Sequence, residues 1–128
     1  MNTKLLMMSS ALTMGLAGIT ASFLPHEFLN SVHVAPVEIT AVLVQIIGAC
    51  YLGFAMLNWM SKANLIGGIY NRPVAVGNLL HFSVSALAIL KVVMANQTIT
   101  ILWIAGAIYT LFAIWFALVL FTHPVKES

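Results

Sequence analysis

Residues 39–60 read ITAVLVQIIGACYLGFAMLNWM, twenty-two residues without a charge. At a rise of about 1.5 Å per residue, a helix of that length covers the ~30 Å hydrocarbon core of a bilayer. The run is continuously apolar and does not alternate, so it reads as a membrane-crossing helix and not as a barrel strand. The rest of the chain is organised around runs of the same kind.

Charges delimit these runs. Counting the turn that leads into each helix, they lie at 5–24, 37–60, 73–95 and 98–121. Pro25-His26-Glu27 ends the first, Lys62 follows the second, Asn71-Arg72 precedes the third, and His123-Pro124 stops the fourth. The chain is 62% hydrophobic and 6% charged, where soluble domains are about a quarter charged. These patterns predict an all-α, single membrane domain: a polytopic, antiparallel bundle of four transmembrane helices. Its net charge of +2 is dispersed, which argues against nucleic acid as a partner and leaves the lipid bilayer.

The first run has to be weighed against a signal peptide. Lys4 followed by Leu5-Leu6-Met7-Met8 has the layout of a charged region and an apolar core. The small-x-small pattern around Ala21-Ser22 is poor, so the segment reads as a retained helix. Basic residues give the orientation: Lys4, Lys62, Arg72 and Lys126 share one side, and only Lys91 falls on the other. By the positive-inside rule both termini are cytoplasmic, and the first loop, with His26, Glu27 and His33, faces outward.

The connections carry further expectations. Residues 25–37 mix polar groups with Phe28, Leu29, Val32 and Val34, which suits a short interfacial helix. Pro36 and Pro73 suit the first turns of the second and third helices, with Asn71 placed to cap the third. Gly67-Gly68 mark a turn, and Trp59 and Trp103 fall near opposite membrane interfaces.

Small residues at helical spacing mark packing seams in lipid. They are Gly18-x-x-x-Ser22, Ala49-x-x-x-Gly53, and Gly106 with Ala113 and Ala117. The first and fourth helices thus read as packing helices, and the second and third as carriers of polar residues. The lone Cys50 forms no intramolecular disulfide and reads as a small core residue.

Asn78, His81 and Ser85, spaced by three and four, form one stripe on the third helix. Lipid contact would be costly for such groups, so the stripe should face the other helices. Asn58 and Arg72 lie at the same end of the bundle. Glu38 falls in the first turn of the second helix, where the helix dipole favours a carboxylate, and Gln45 lies two turns deeper on its face. Together these seven residues are the candidate binding set. The plainer alternative is that the stripe ties helices together by hydrogen bonds. No phosphate loop, nucleophile elbow or zinc motif occurs, so no catalytic residue is assigned. Haem iron takes axial ligands, and no second histidine lies within a span to join His81, so neither haem nor a metal is implied.

Four short-looped spans, a proline-containing first loop, and an Arg-Pro step leading into a helix that carries His resemble the small DoxX-like membrane proteins. Asn58-Trp59, Gly67-Gly68-Ile69-Tyr70-Asn71-Arg72-Pro73 and Gly77-Asn78 to His81-Phe82 are similar to a bacterial group of that kind. The resemblance implies a four-helix bundle in the bacterial cytoplasmic (inner) membrane and assigns no residue role.

Three functions are compatible with this sequence. The first is an accessory or structural subunit, or a stabilising factor, of a membrane complex, acting with other membrane subunits or as a homo-oligomer. The second is a binder or transporter of a small lipophilic or cationic molecule, with Glu38, Gln45 and His81 lining a cavity. The third is a quinone- or lipid-modifying membrane enzyme with His81 as acid or base.

Overall fold

The computed structural model describes residues 2–64 and 71–122. The expectations at Gly67-Gly68, Ile69-Tyr70, His123-Pro124 and Lys126 lie outside the described residues. Five helices form: α1 (Thr3–Phe23), α2 (Pro25–Ser31), α3 (Glu38–Ser61), α4 (Arg72–Ala95) and α5 (Thr100–Phe121). All but α2 are long and apolar enough to cross a membrane, and their ends fall within two residues of the charge-delimited runs. Their outward faces are apolar: Leu16 is 68% exposed, Leu87 69% and Phe121 71%. Such a surface is untenable in water and ordinary in lipid.

Local signals set the ends. The Asn2 side chain accepts from the Leu5 N–H (3.0 Å) and caps α1. Pro25 and Pro73 occupy first turns, where a missing N–H costs nothing. Pro36 does not: α3 begins at Glu38 after Val37, and Thr40 Oγ1 accepts from the Val37 N–H (3.1 Å). The proline instead lies in the approach to the helix, two residues before its first residue. At the far end of α3, the Lys62 ammonium sits 3.2 Å from the centroid of the Trp59 ring, a cation–π contact.

The helices associate in two close pairs. In the α1–α3 pair, Gly15 meets Ala55, Gly18 meets Leu52, and Ser22 meets Gly48, so residue numbers rise on one helix as they fall on the other. A Cβ on Gly48 would lie 2.7 Å from the Ser22 nitrogen and 3.0 Å from the Gly18 carbonyl oxygen. The seam residue of α3 is therefore Gly48, and not the expected Ala49-x-x-x-Gly53. Ala49 is exposed, and nothing lies within 4 Å of a Cβ at Gly53. One position along a helix is about 100° of rotation, enough to carry a residue from seam to surface. Cys50 is exposed for the same reason, which corrects its reading as a core residue.

In the α4–α5 pair, Gly106 packs beneath Ile89 and Leu90. The pairs join where α1 touches α5 and α3 touches α4, which leaves α3 and α5 on a diagonal. The main core centres on Met14, Phe82, Phe112 and Phe116. A smaller cluster forms at the other end, where Leu29 of α2 packs on Ala21, Ala41 and Val44. Between the two clusters the bundle is not filled.

Candidate functional site

The site is layered, starting from the end where α3 finishes and α4 begins. Asn58 and Asn78 are both completely buried. Asn58 Nδ2 donates to Asn78 Oδ1 (2.8 Å) and to Ser10 Oγ (3.0 Å). In return, Asn78 Nδ2 donates to Asn58 Oδ1 (2.7 Å) and to the Val74 carbonyl (2.9 Å). Ser10 Oγ in turn donates a hydrogen bond to the Met7 carbonyl (3.1 Å). Every amide proton of both asparagines is used, so three helices are tied together with no polar group stranded. Full satisfaction matters here because an unpaired amide in an apolar interior is costly.

One turn further along α4 the surroundings become aromatic. The His81 ring lies 5.1 Å from Tyr51, 5.2 Å from Phe54, 5.2 Å from Phe82 and 5.8 Å from Tyr109, centroid to centroid. Its Nε2 is buried and has no hydrogen-bond partner. The imidazole is thus held as a packing ring among four others. Phe82 continues the stack to Phe112 (4.9 Å) and Phe116 (5.7 Å).

Above this layer the diagonal helices α3 and α5 are bridged by Tyr51 and Tyr109, whose hydroxyls are 2.5 Å apart. Tyr51 is the fourteenth residue of a 24-residue helix, and Tyr109 the tenth of a 22-residue one. Both hydroxyls therefore sit near mid-span, where one donates to the other.

The two tyrosines border a cavity of about 350 Å³. Its walls come from all five helices: Ala17 and Ala21, Phe28 and Ser31, Val44 and Ile47, Ile89, and Leu102 with Ala105. Ile47 and Ile101 are both lining and exposed, so the cavity reaches the outer surface of the bundle beside these residues. Its size falls within the range of small-molecule sites, about 300–1,000 Å³. Among the described lining residues, Tyr51, Tyr109 and Ser31 are those that carry a polar side-chain group.

The seven residues singled out from sequence are not one cluster. Asn58 and Asn78 meet, and His81 lies in the next layer. Ser85 is half-buried and makes no side-chain hydrogen bond among the described residues. Arg72 is exposed at the start of α4. Glu38 and Gln45 are exposed on α3, and the Gln45 amide donates to the Ser22 carbonyl (3.3 Å). None of the seven lines the cavity, whose α3 wall is Val44, Ile47 and Tyr51. Sequence reasoning missed Ser10, Tyr51 and Tyr109. For the tyrosines a signal existed: a Tyr at mid-span, away from the interfacial belt, has to find a partner for its hydroxyl.

Among the described residues no group of three His, Cys, Asp or Glu is placed to hold a metal ion. Comparisons with protein-family models, with curated proteins and with solved structures find no match.

Proposed function

We propose that this chain is a multi-pass protein of the bacterial cytoplasmic membrane that binds a small neutral lipophilic molecule between its two helix pairs. On this reading the four spans form an antiparallel bundle with both ends cytoplasmic, and α2 lies at the outer interface as a cap over the cavity. The DoxX-like resemblance is of a piece with this architecture.

The observation that carries the reading is the cavity: about 350 Å³, walled by all five helices and lined in part by the exposed Ile47 and Ile101. A lipid-soluble molecule reaches such an opening from within the bilayer. Charge narrows the class. Among the described residues no Asp, Glu, Lys or Arg lines the cavity, so a cation would enter without a counter-charge, at high cost in an apolar site. The neutral half of the lipophilic-or-cationic expectation is the one retained.

Photolabelling tests this directly. Benzophenone, added to the protein in lipid nanodiscs and irradiated, should label the cavity walls on α3 (44–51) and α5 (101–109). Ala105→Phe, which fills the cavity, should suppress that labelling. Labels spread evenly over the outward faces, and insensitive to Ala105→Phe, would sink the reading.

A second reading, as a subunit of a membrane complex, is favoured by one feature. Ala49, Cys50 and Gly53 are exposed together on α3, with open space over Gly53, and small residues let helices approach closely. Crosslinking through Cys50 in native membranes should then give one discrete product. A ladder of products or none would remove this reading.

A further inference from the structure

We propose, resting on the binding reading above, that the ligand carries a carbonyl-type oxygen, recognised by the Tyr51–Tyr109 pair. Hydrogen-bond bookkeeping leads there. Two phenols carry two hydroxyl protons, and their mutual contact uses one of them. Whichever tyrosine donates, one proton is left over. Among the described residues no acceptor takes it, because neither hydroxyl has another partner. Both residues border the cavity, so the leftover proton belongs to the polar end of a site with hydrocarbon walls.

A phenol is a good donor and a poor acceptor, so the matching ligand group is an acceptor. With no charged side chain on the wall among the described residues, that acceptor is neutral. A carboxylate or phosphate would be stranded without a counter-ion, and a pure hydrocarbon would leave the proton unused. A ketone, quinone-type or ester oxygen on an apolar body satisfies both conditions. The pairing also strengthens the donor, since a hydroxyl that accepts one hydrogen bond donates a stronger one.

The test compares two molecules of nearly equal shape, fluorenone and fluorene, as competitors of benzophenone photolabelling in nanodiscs. Concentrations are normalised to those reached in the bilayer. Fluorenone should compete about two- to tenfold better than fluorene, the factor that one net neutral hydrogen bond supplies. Tyr51→Phe or Tyr109→Phe alone leaves one hydroxyl proton available and should keep part of the preference. The double variant should lose it, while still binding both molecules. As an independent readout, bound fluorenone should show an infrared carbonyl band at lower frequency than fluorenone in plain bilayer. This holds even if the double variant fails to fold.

Equal competition by the two molecules, or no shifted carbonyl band, overturns this inference and leaves the binding reading standing. A preference that survives in a folded double variant also overturns it. Failure of both molecules to compete, together with labelling that ignores Ala105→Phe, takes down the binding reading itself. Displacement of benzophenone by a long alkane as effectively as by fluorenone would mean an acyl-chain groove, and would also overturn the carbonyl assignment.

Discussion

Asn58 on α3 and Asn78 on α4 exchange two amide hydrogen bonds, 2.8 and 2.7 Å long, with both side chains completely buried. They are the polar joint between the two helix pairs, and Ser10 extends it to α1. In lipid this joint has no hydrophobic driving force beneath it, so its hydrogen bonds and close packing carry the association.

Replacing either asparagine by Leu strands the partner amide and should cost about 1–3 kcal/mol. The double Leu variant strands neither and should recover part of that loss. A double-mutant cycle in mixed micelles should give a coupling energy of about 0.6 kcal/mol, the average for hydrogen bonds between membrane helices, and no more than about 1.7 kcal/mol. Zero coupling would mean that the pair does not hold the helices together.

The α1–α3 seam yields a contrast between two glycines on one helix. A methyl group at Gly48 meets the backbone of α1 at 2.7–3.0 Å, and backbone cannot move aside. Gly48→Ala should therefore destabilise by about 1–3 kcal/mol, the usual cost of overpacking. Gly53→Ala adds its methyl to open space and should be neutral, or stabilising by up to about 1 kcal/mol, because Gly is a poor helix former. Thermal unfolding in detergent ranks the two; equal effects would contradict the seam.

His81 packs as a ring among rings, with its Nε2 buried and unpartnered. His81→Phe keeps the ring and removes the stranded nitrogen. It should leave benzophenone labelling unchanged and hold or raise thermal stability by about 1 kcal/mol. Loss of labelling in a folded His81→Phe variant would restore the histidine to a direct functional role, as the enzyme reading requires.

Glu38 lies on the exposed face of α3, away from the cavity wall. Glu38→Gln should leave labelling within twofold of the parent, a change of about 0.4 kcal/mol or less. A larger loss would bring back the cation-binding reading.

The four spans were legible because lipid leaves an unambiguous mark: long uncharged runs closed by Lys, Arg, Glu and Pro. The placement of Asn78 and His81 toward the interior was legible for the same reason, since a polar side chain facing hydrocarbon is expensive. What the sequence obscures is rotation about the helix axis. In water the outward face is polar and gives itself away. In this chain Ile46, Ile47 and Val44 are equally apolar, yet only Val44 is buried. Hence nothing in the pattern favours Gly48 over Ala49 as the seam residue, or sets Cys50 outside. The tyrosine pair is hidden for a different reason. Tyr51 and Tyr109 are 58 positions apart and meet only because the two helix pairs close on each other.

The most direct measurement is a lipidic-phase crystal of the protein soaked with 2-bromofluorenone, using bromine anomalous scattering to locate the ligand. The expected result is one bromine peak between α3 and α5, in the space bounded by Val44, Leu102 and Ala105, with the ketone oxygen directed at Tyr51 and Tyr109. Bromine found only on the outward faces of the helices, with the cavity closed by side chains, would contradict the binding reading.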